Sequence, residues 1–532
     1  MKKKILSIMV IGAILLLSGC EKYLDINRNP NGPEKVTAYL YLAPMLNELA
    51  YSPQYDIRMI GYYTQNFANY SASSSGYDAH GTPAWTSDMA QYWRTVYWKM
   101  GWNLSNMISQ SEEEQRWDLA GIGYALRAWG WQELVDMHGP IILKEAFQPG
   151  LYAFDYDTEQ EVYTEVIRLC DKAIELLNRT DGAVSASFAA KGDLIYAGNR
   201  VLWKRFAWGL KARNLSRLSN KTSLYDPAKV IQAVDSSFKS NADNAYLKFN
   251  GSVNEDASFF GPMRYNYLAA RPSKFIVSLL DGTALGTISD PRIRIMLPPS
   301  QNIVNNVVGA QYVGVTPTAG YTSIAAADRP YNIYGLNTVS GAPPSTTIGT
   351  YIFTNNGKWP LMTYSEMQFI KAEAALRNSD AATALTAYSS GVSAAIDFTN
   401  LYAGATTWAT IPAIDATAKA NFMTSAVPAL ATDLKMWMIM GQKYVHMWAW
   451  GAMEIWTDMR RYHYTDTYGT ETKQVFAGLL IPPLAAESNG KPVYRVRPRY
   501  NSEYVWNMEA LKKIGADKLD YHTNPLWITI PE

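Results

Sequence analysis

Aromatic side chains set among small polar residues are the chemistry this chain offers most freely. Its 532 residues include 36 Tyr and 17 Trp against only 15 Phe. A core accepts Phe, whereas Tyr and Trp carry a polar tip suited to wet binding surfaces. Tyr70, Tyr77 and Trp85 share a polar stretch with Ser71–Ser75, Asp78 and His80. A second group, Tyr265, Tyr267, Arg271, Tyr321, Arg329, Tyr331, Asn332 and Tyr334, lies in a region poor in helical periodicity. Flat rings stack on the C–H-rich faces of sugars, while sugar hydroxyls seek Asn, Asp, Arg and backbone partners. Local loop packing explains any one of these residues as well as ligand contact does; for the group, binding is favoured. Tyr92, Trp93, Tyr97 and Trp98 instead follow helical spacing and read as core or interface.

Other chemistries find less support. The five histidines, His80, His138, His446, His463 and His522, form no HExxH pair and share no zinc-like spacing with cysteine. His446 reads as a packed helical residue. The chain lacks GxxxxGK[ST], GxGxxG and GxSxG, which lowers phosphoryl transfer, dinucleotide binding and serine hydrolysis. No metal or cofactor is expected. Glycoside hydrolysis needs only two suitably separated carboxylates, and Glu366, Glu373, Glu454 and Asp458 are candidates. Each sits on a helical segment near Lys371, Arg377, Arg460 or Arg461, where a structural ion pair is the simpler reading. Cys170 falls on an apolar helix face with Val166, Ile167, Ile174 and Leu177 and reads as a buried, inert thiol.

The balance of 48 Lys+Arg against 47 Asp+Glu gives a formal charge of +1, so nucleic acid, which demands a basic surface, is not an expected partner. The N-terminus is more specific. Lys2, Lys3 and Lys4 precede an apolar run from Ile5 to Leu17, too short for the ~20 residues of a membrane-spanning helix. It ends in Leu17-Ser18-Gly19-Cys20, which matches a bacterial lipobox. We therefore expect a signal peptide over 1–19 and a mature chain acylated at Cys20, membrane-anchored without crossing.

Helical signals dominate the mature chain, which we expect to form one domain over 20–532. Thr158-x-x-Glu161 and Thr363-x-x-Glu366 read as capping boxes. Leu119, Ile122, Leu126, Gly130, Leu134 and Met137 keep helical spacing up to Gly139-Pro140. The longest candidate helix spans about Leu434 to Met459, and its glycines allow close helix approach. Paired, antiparallel packing helices are the expected architecture. By contrast, residues 250–360 are rich in Gly, Pro, Thr and Asn; loops this long are often functional. The Ala/Thr stretch 401–425 is ambiguous.

Five segments together resemble the SusD/RagB-like lipoproteins of Bacteroidetes: CEKYLDINRNPNGPEKVTAYLYLAPMLNELA from Cys20, GIGYALRAWGWQELVDMHGPIILKEAF, WPLMTYSEMQFIKAEAALRN, QKYVHMWAWGAMEIWTDMRR and RVRPRYNSEYVWN. The last motif reads Arg499-Tyr500-Asn501-Ser502-Glu503 where the family commonly has apolar-Pro-Pro-Ser-Glu, so the resemblance is to a divergent branch. It implies a mostly α fold of tetratricopeptide-like helix pairs with an irregular, loop-rich half at about 250–360 that carries the ligand. It further implies a cell-surface, outer-membrane lipoprotein, not an enzyme, that captures glycan for a SusC-like TonB-dependent transporter. Tyr70, Tyr77, Trp85, Tyr265, Arg271, Tyr321, Arg329 and Tyr331 are the expected ligand contacts. A peptide or other nutrient on the same fold, and a surface glycoside hydrolase, are the competing readings.

Overall fold

A computed structural model describes residues 36–81, 90–301 and 311–532. Residues 1–19, expected to be a signal peptide, Cys20 and Trp85 lie outside the described residues. The principal helices are α1 (Leu42–Tyr63), α2 (Gly101–Glu113), α3 (Trp117–His138), α4 (Glu159–Asn178), α5 (Arg200–Arg217), α6 (Pro227–Ser236), α7 (Tyr364–Arg377), α8 (Ala381–Thr399), α9 (Met436–Met447) and α10 (Ala452–Arg461). From α2 to α8 each helix packs on the next, with the short turns 114–116 and 378–380 reversing the chain between α2 and α3 and between α7 and α8. This is the mostly α, tetratricopeptide-like arrangement that the helical signals predict.

Local chemistry explains the strongest elements. α4 opens on a complete capping box: the Thr158 hydroxyl accepts the Glu161 N–H, and the Glu161 carboxylate accepts the Thr158 N–H at 3.0 Å. These bonds satisfy donors that a helix start otherwise leaves free. At α7 only half the box forms. Thr363 accepts the Glu366 N–H at 3.2 Å, but the Glu366 side chain turns inward to Arg213. α3 is buried almost all round, so it is the spine against which α2, α4 and α5 pack. A Cβ on Gly121 would lie 2.6 Å from Leu177 Cγ, so glycine is what lets α3 and α4 touch. Cys170 is fully buried on α4, and burial pushes its thiol well above the ordinary range.

The expected single helix from Leu434 to Met459 is two helices. α9 ends at Met447 and α10 begins at Ala452. Asn66 inserts at the break. Its carbonyl accepts Trp448 Nε1–H at 2.9 Å and its Oδ1 accepts the Ala449 N–H at 2.7 Å. Ala449 takes φ +69, a left-handed conformation that no continuous helix contains. The periodic stripe continues across the break because both halves face the same core.

The Ala/Thr stretch resolves into a small hairpin, Gly404–Ala405 with Thr410–Ile411, and a helix at Ala416–Ala426. The 250–360 region is mostly turns, with short helices at Lys274–Leu280 and Ile293–Met296. Two antiparallel strand pairs tie it to the helices: β1 (Phe67–Asn69) with β3 (Ala270–Pro272), and β2 (Ala245–Lys248) with β4 (Lys358–Met362).

Candidate functional site

The β1–β3 pair positions the rings. Its register sets Ala68 opposite Arg271 and Asn69 opposite Ala270. The ladder continues one residue further, where Tyr70 N–H donates to Ala269 O at 2.9 Å and Tyr70 O accepts the Tyr321 N–H at 2.9 Å. Ser73 N–H donates to Thr318 O at 3.1 Å. Gly320 makes this approach possible: at φ +69 its position suits glycine, and a Cβ there would lie 2.4 Å from Ala72 N. Asp78 locks the same loops from beneath, its Oδ2 accepting N–H groups of Asn69 and Thr318 at 3.2 and 3.0 Å. Burial raises the Asp78 carboxyl above its usual range.

Two segments some 250 residues apart in sequence thus present one surface. The Tyr70 and Tyr321 rings lie 4.7 Å apart, tilted by 44°, and both are half-buried. Arg329 lies over Tyr321 at 4.9 Å from the ring centroid, within the range of a cation–π contact. Arg271 sits behind the pair, 5.7 Å from the Tyr70 centroid and 5.5 Å from that of Tyr321. It is fully buried, and desolvation lowers its guanidinium to about 10. Arg271 therefore holds the rings from within rather than offering a free surface contact.

Of the eight residues singled out as ligand contacts, four meet here: Tyr70, Arg271, Tyr321 and Arg329. Tyr77, Tyr265 and Tyr331 have other partners. Tyr77 is half-buried, its ring edge-on to Tyr63 at 6.0 Å. Tyr265 is 46% exposed at φ +38, its N–H held by Gly261 and Pro262 carbonyls. Tyr331 is half-buried and donates its N–H to Pro299 O at 3.2 Å. Trp85 lies outside the described residues. Tyr267 and Tyr334 are core residues.

The carboxylates considered for hydrolysis form a buried ionic network instead. Glu366 pairs with Arg213 at 2.6 Å, and Glu454 with Arg213 at 3.3 Å and with Arg217. Glu373 pairs with Arg461 at 2.9 Å and Arg377 at 3.2 Å, and Asp458 with Lys443 and Arg461 at 2.6 Å each. All four carboxylates are at most 5% exposed. Burial pushes the Glu454 carboxyl up, but Arg213 and Arg217 overcome it and bring it to about 2. Buried and paired with guanidinium or ammonium groups, these carboxylates brace the fold and are out of reach of a substrate. His446 is likewise structural: Nε2 lies 2.7 Å from Thr363 Oγ1, and burial drives its proton affinity far down.

Sequence reasoning missed a second set of exposed rings, in the helical half. Trp98 and Trp102 are 67% and 51% exposed, so Trp98 is no core residue, whereas Tyr92 and Trp93 are buried as expected. A hollow of about 820 Å³, lined by Trp102, Arg127 and Trp131 among others, adjoins one of about 400 Å³ beside Trp98 and Arg94; they share Trp102, Ala146 and Phe147. A helical-spacing signal places a side chain on a face but does not say whether another element covers it.

Stacked antiparallel helix pairs with a turn-rich insertion define a tetratricopeptide-like helical class. A structure of a SusD/RagB family protein from Bacteroides thetaiotaomicron aligns over 94% of this chain and 100% of its own, at 21% identity and TM-score 0.71. A SusD homolog from Bacteroides fragilis aligns over 93% and 100%, at 19% identity and TM-score 0.69. A chitin-binding SusD homolog from Flavobacterium johnsoniae aligns over 93% and 99%, at 19% identity and TM-score 0.65. The comparison with curated proteins finds no match. The model of the family SusD-like_2, described as "Starch-binding associating with outer membrane", matches residues 30–482, and the chain belongs to this family. Among the described residues no helix is long and apolar enough to cross a membrane.

Proposed function

We propose that this protein is a non-enzymatic glycan-capturing lipoprotein of the outer-membrane surface, anchored through an acylated Cys20, that passes oligosaccharide to a SusC-like TonB-dependent transporter. The Tyr70–Tyr321 ring pair carries the reading. It presents tilted aromatic faces beside a guanidinium, on loops rather than in a closed cavity, which suits an extended sugar chain. The outer-membrane and starch-binding description of the family, and the chitin-binding relative, support saccharide as the cargo class. Several acyl chains, at about 0.8 kcal/mol per buried methylene, suffice to tether a protein of this size. Tethering raises the local ligand concentration at a transporter mouth, and a shallow site releases what it has caught.

Calorimetric titration of the purified protein with starch, chitin and hemicellulose oligosaccharides tests this. We expect saturable binding without release of new reducing ends, and Tyr321→Ala should weaken it at least about tenfold, or about 1.4 kcal/mol, with an unchanged thermal midpoint. Unaltered affinity in that variant would remove the ring pair from the site. Silence across the saccharides with binding of peptides would move the cargo to peptide, and accumulation of reducing ends would make the protein a hydrolase.

A further inference from the structure

The arginines at the ring pair carry more information than the rings. Arg271 is fixed by its strand register, and its Nη1 donates to Leu268 O at 2.7 Å and to Ala270 O at 3.2 Å. Its Nε and Nη2 are buried and bond to nothing among the described residues. Arg329 spends Nε on Ile324 O at 3.1 Å. Both guanidiniums lie within 5.5 Å of the same Tyr321 centroid, and neither forms an ion pair with a described carboxylate. Asp78, under the same loops, spends Oδ2 on backbone N–H groups and leaves Oδ1 buried without a hydrogen-bond partner, but it forms no ion pair with either arginine.

Most other fully buried arginines of this protein meet a carboxylate, and Arg460, which does not, spends Nε, Nη1 and Nη2 on carbonyls and a hydroxyl. Arg213, Arg217, Arg292 and Arg461 each meet at least one carboxylate. A buried cation with unsatisfied donors is costly unless an opposite charge or further hydrogen bonds reach it, and a second cation on the same ring adds to that cost. Tyrosine faces offset it only in part. An arriving anion relieves it, with Arg329, half-buried at the surface, as the direct contact and Arg271 supplying field through the rings.

We infer that the ring-pair site takes an acidic saccharide, one bearing uronate carboxylates or sulfate esters, in preference to a neutral glycan. This rests on the glycan reading above. Two matched pairs of probes separate the anion sources: hexagalacturonate against its methyl ester, and a sulfated dextran oligosaccharide against the unsulfated one. At low salt the charged member of at least one pair should bind about tenfold tighter, and the advantage should shrink at high salt. Arg329→Gln should abolish that preference and Arg329→Lys should keep part of it, both with a wild-type thermal midpoint. Equal or tighter binding of the neutral members overturns the inference and leaves glycan capture standing. A preference that survives Arg329→Gln places charge recognition elsewhere and also overturns it. Failure of every saccharide, with binding of polyglutamate alone, removes both readings at once.

Discussion

His80 shows how a residue close to the candidate site depends on an environment its sequence neighbours do not reveal. It is buried at φ +55, between the rings of Tyr63 and Tyr464 at 5.5 Å each, and its Nδ1 accepts the Val493 N–H at 3.2 Å. Burial lowers its proton affinity to about 3. The unfolded chain protonates this ring near pH 6.5, whereas the folded chain keeps it neutral. Its contribution is thus fully present above pH 6.5 and is lost as the pH falls towards 3, at about 1.4 kcal/mol per pH unit. Urea midpoints measured from pH 7 to 4 should fall less steeply in His80→Gln than in the wild type; parallel slopes would refute this account. Because Ser488 Oγ also donates to the His80 carbonyl at 2.9 Å, the same acidification should loosen the turn that follows Tyr77.

Among the elements, the interrupted helix is the clearest case of a local pattern overruled. Asn66 uses its carbonyl and side-chain oxygen on the break, and its Nδ2 donates to the Tyr444 hydroxyl at 2.9 Å. It thereby couples α9 to the chain entering β1, and so to the ring pair a few residues on. Asn66→Ala leaves the buried Ala449 N–H without its acceptor and removes a donor to the Tyr444 hydroxyl, which still bonds Thr64 O at 2.8 Å; it should destabilise by about 1–3 kcal/mol, read as a drop in urea midpoint. Ala449→Gly should instead stabilise by about 1 kcal/mol, because an L-residue at this left-handed position carries strain of that size. Were Ala449→Gly destabilising and Asn66→Ala neutral, the break would have another cause.

For the whole molecule, the ionic network makes the repeat stack and the C-terminal helices one body. Asp136 on α3 and Glu454 on α10 share Arg217 of α5, and Glu373 on α7 meets Arg461 on α10. Buried pairs of this kind are poor sources of net stability, yet removing one partner strands the other charges. Arg217→Met should therefore cost about 3–5 kcal/mol, seen as a lowered urea midpoint, although no ligand contact is touched. A variant that also replaces Asp136 and Glu454 by Asn and Gln should recover part of that loss. No recovery would mean that packing rather than charge is at stake.

The helices and their starts were legible because their signals are local: a cap and a carboxylate three residues on, or apolar residues three and four apart, act within one turn. The five segments that resemble a known family extended that legibility to the architecture. Candidate rings were legible as types, since Tyr and Trp in polar loops stand out against the small Phe count. Which of them meet was decided by tertiary structure alone. Tyr70 joins Tyr321, and Arg271 goes behind them, through the β1–β3 register and the close approach at Gly320, contacts between segments some 200 to 250 residues apart. The strand pairing buried Arg271, the Asn66 hydrogen bonds broke α9 from α10, and Trp98 was left exposed on its helix face. A side chain's periodicity records the face it occupies, but burial and partners depend on what the rest of the chain lays against that face.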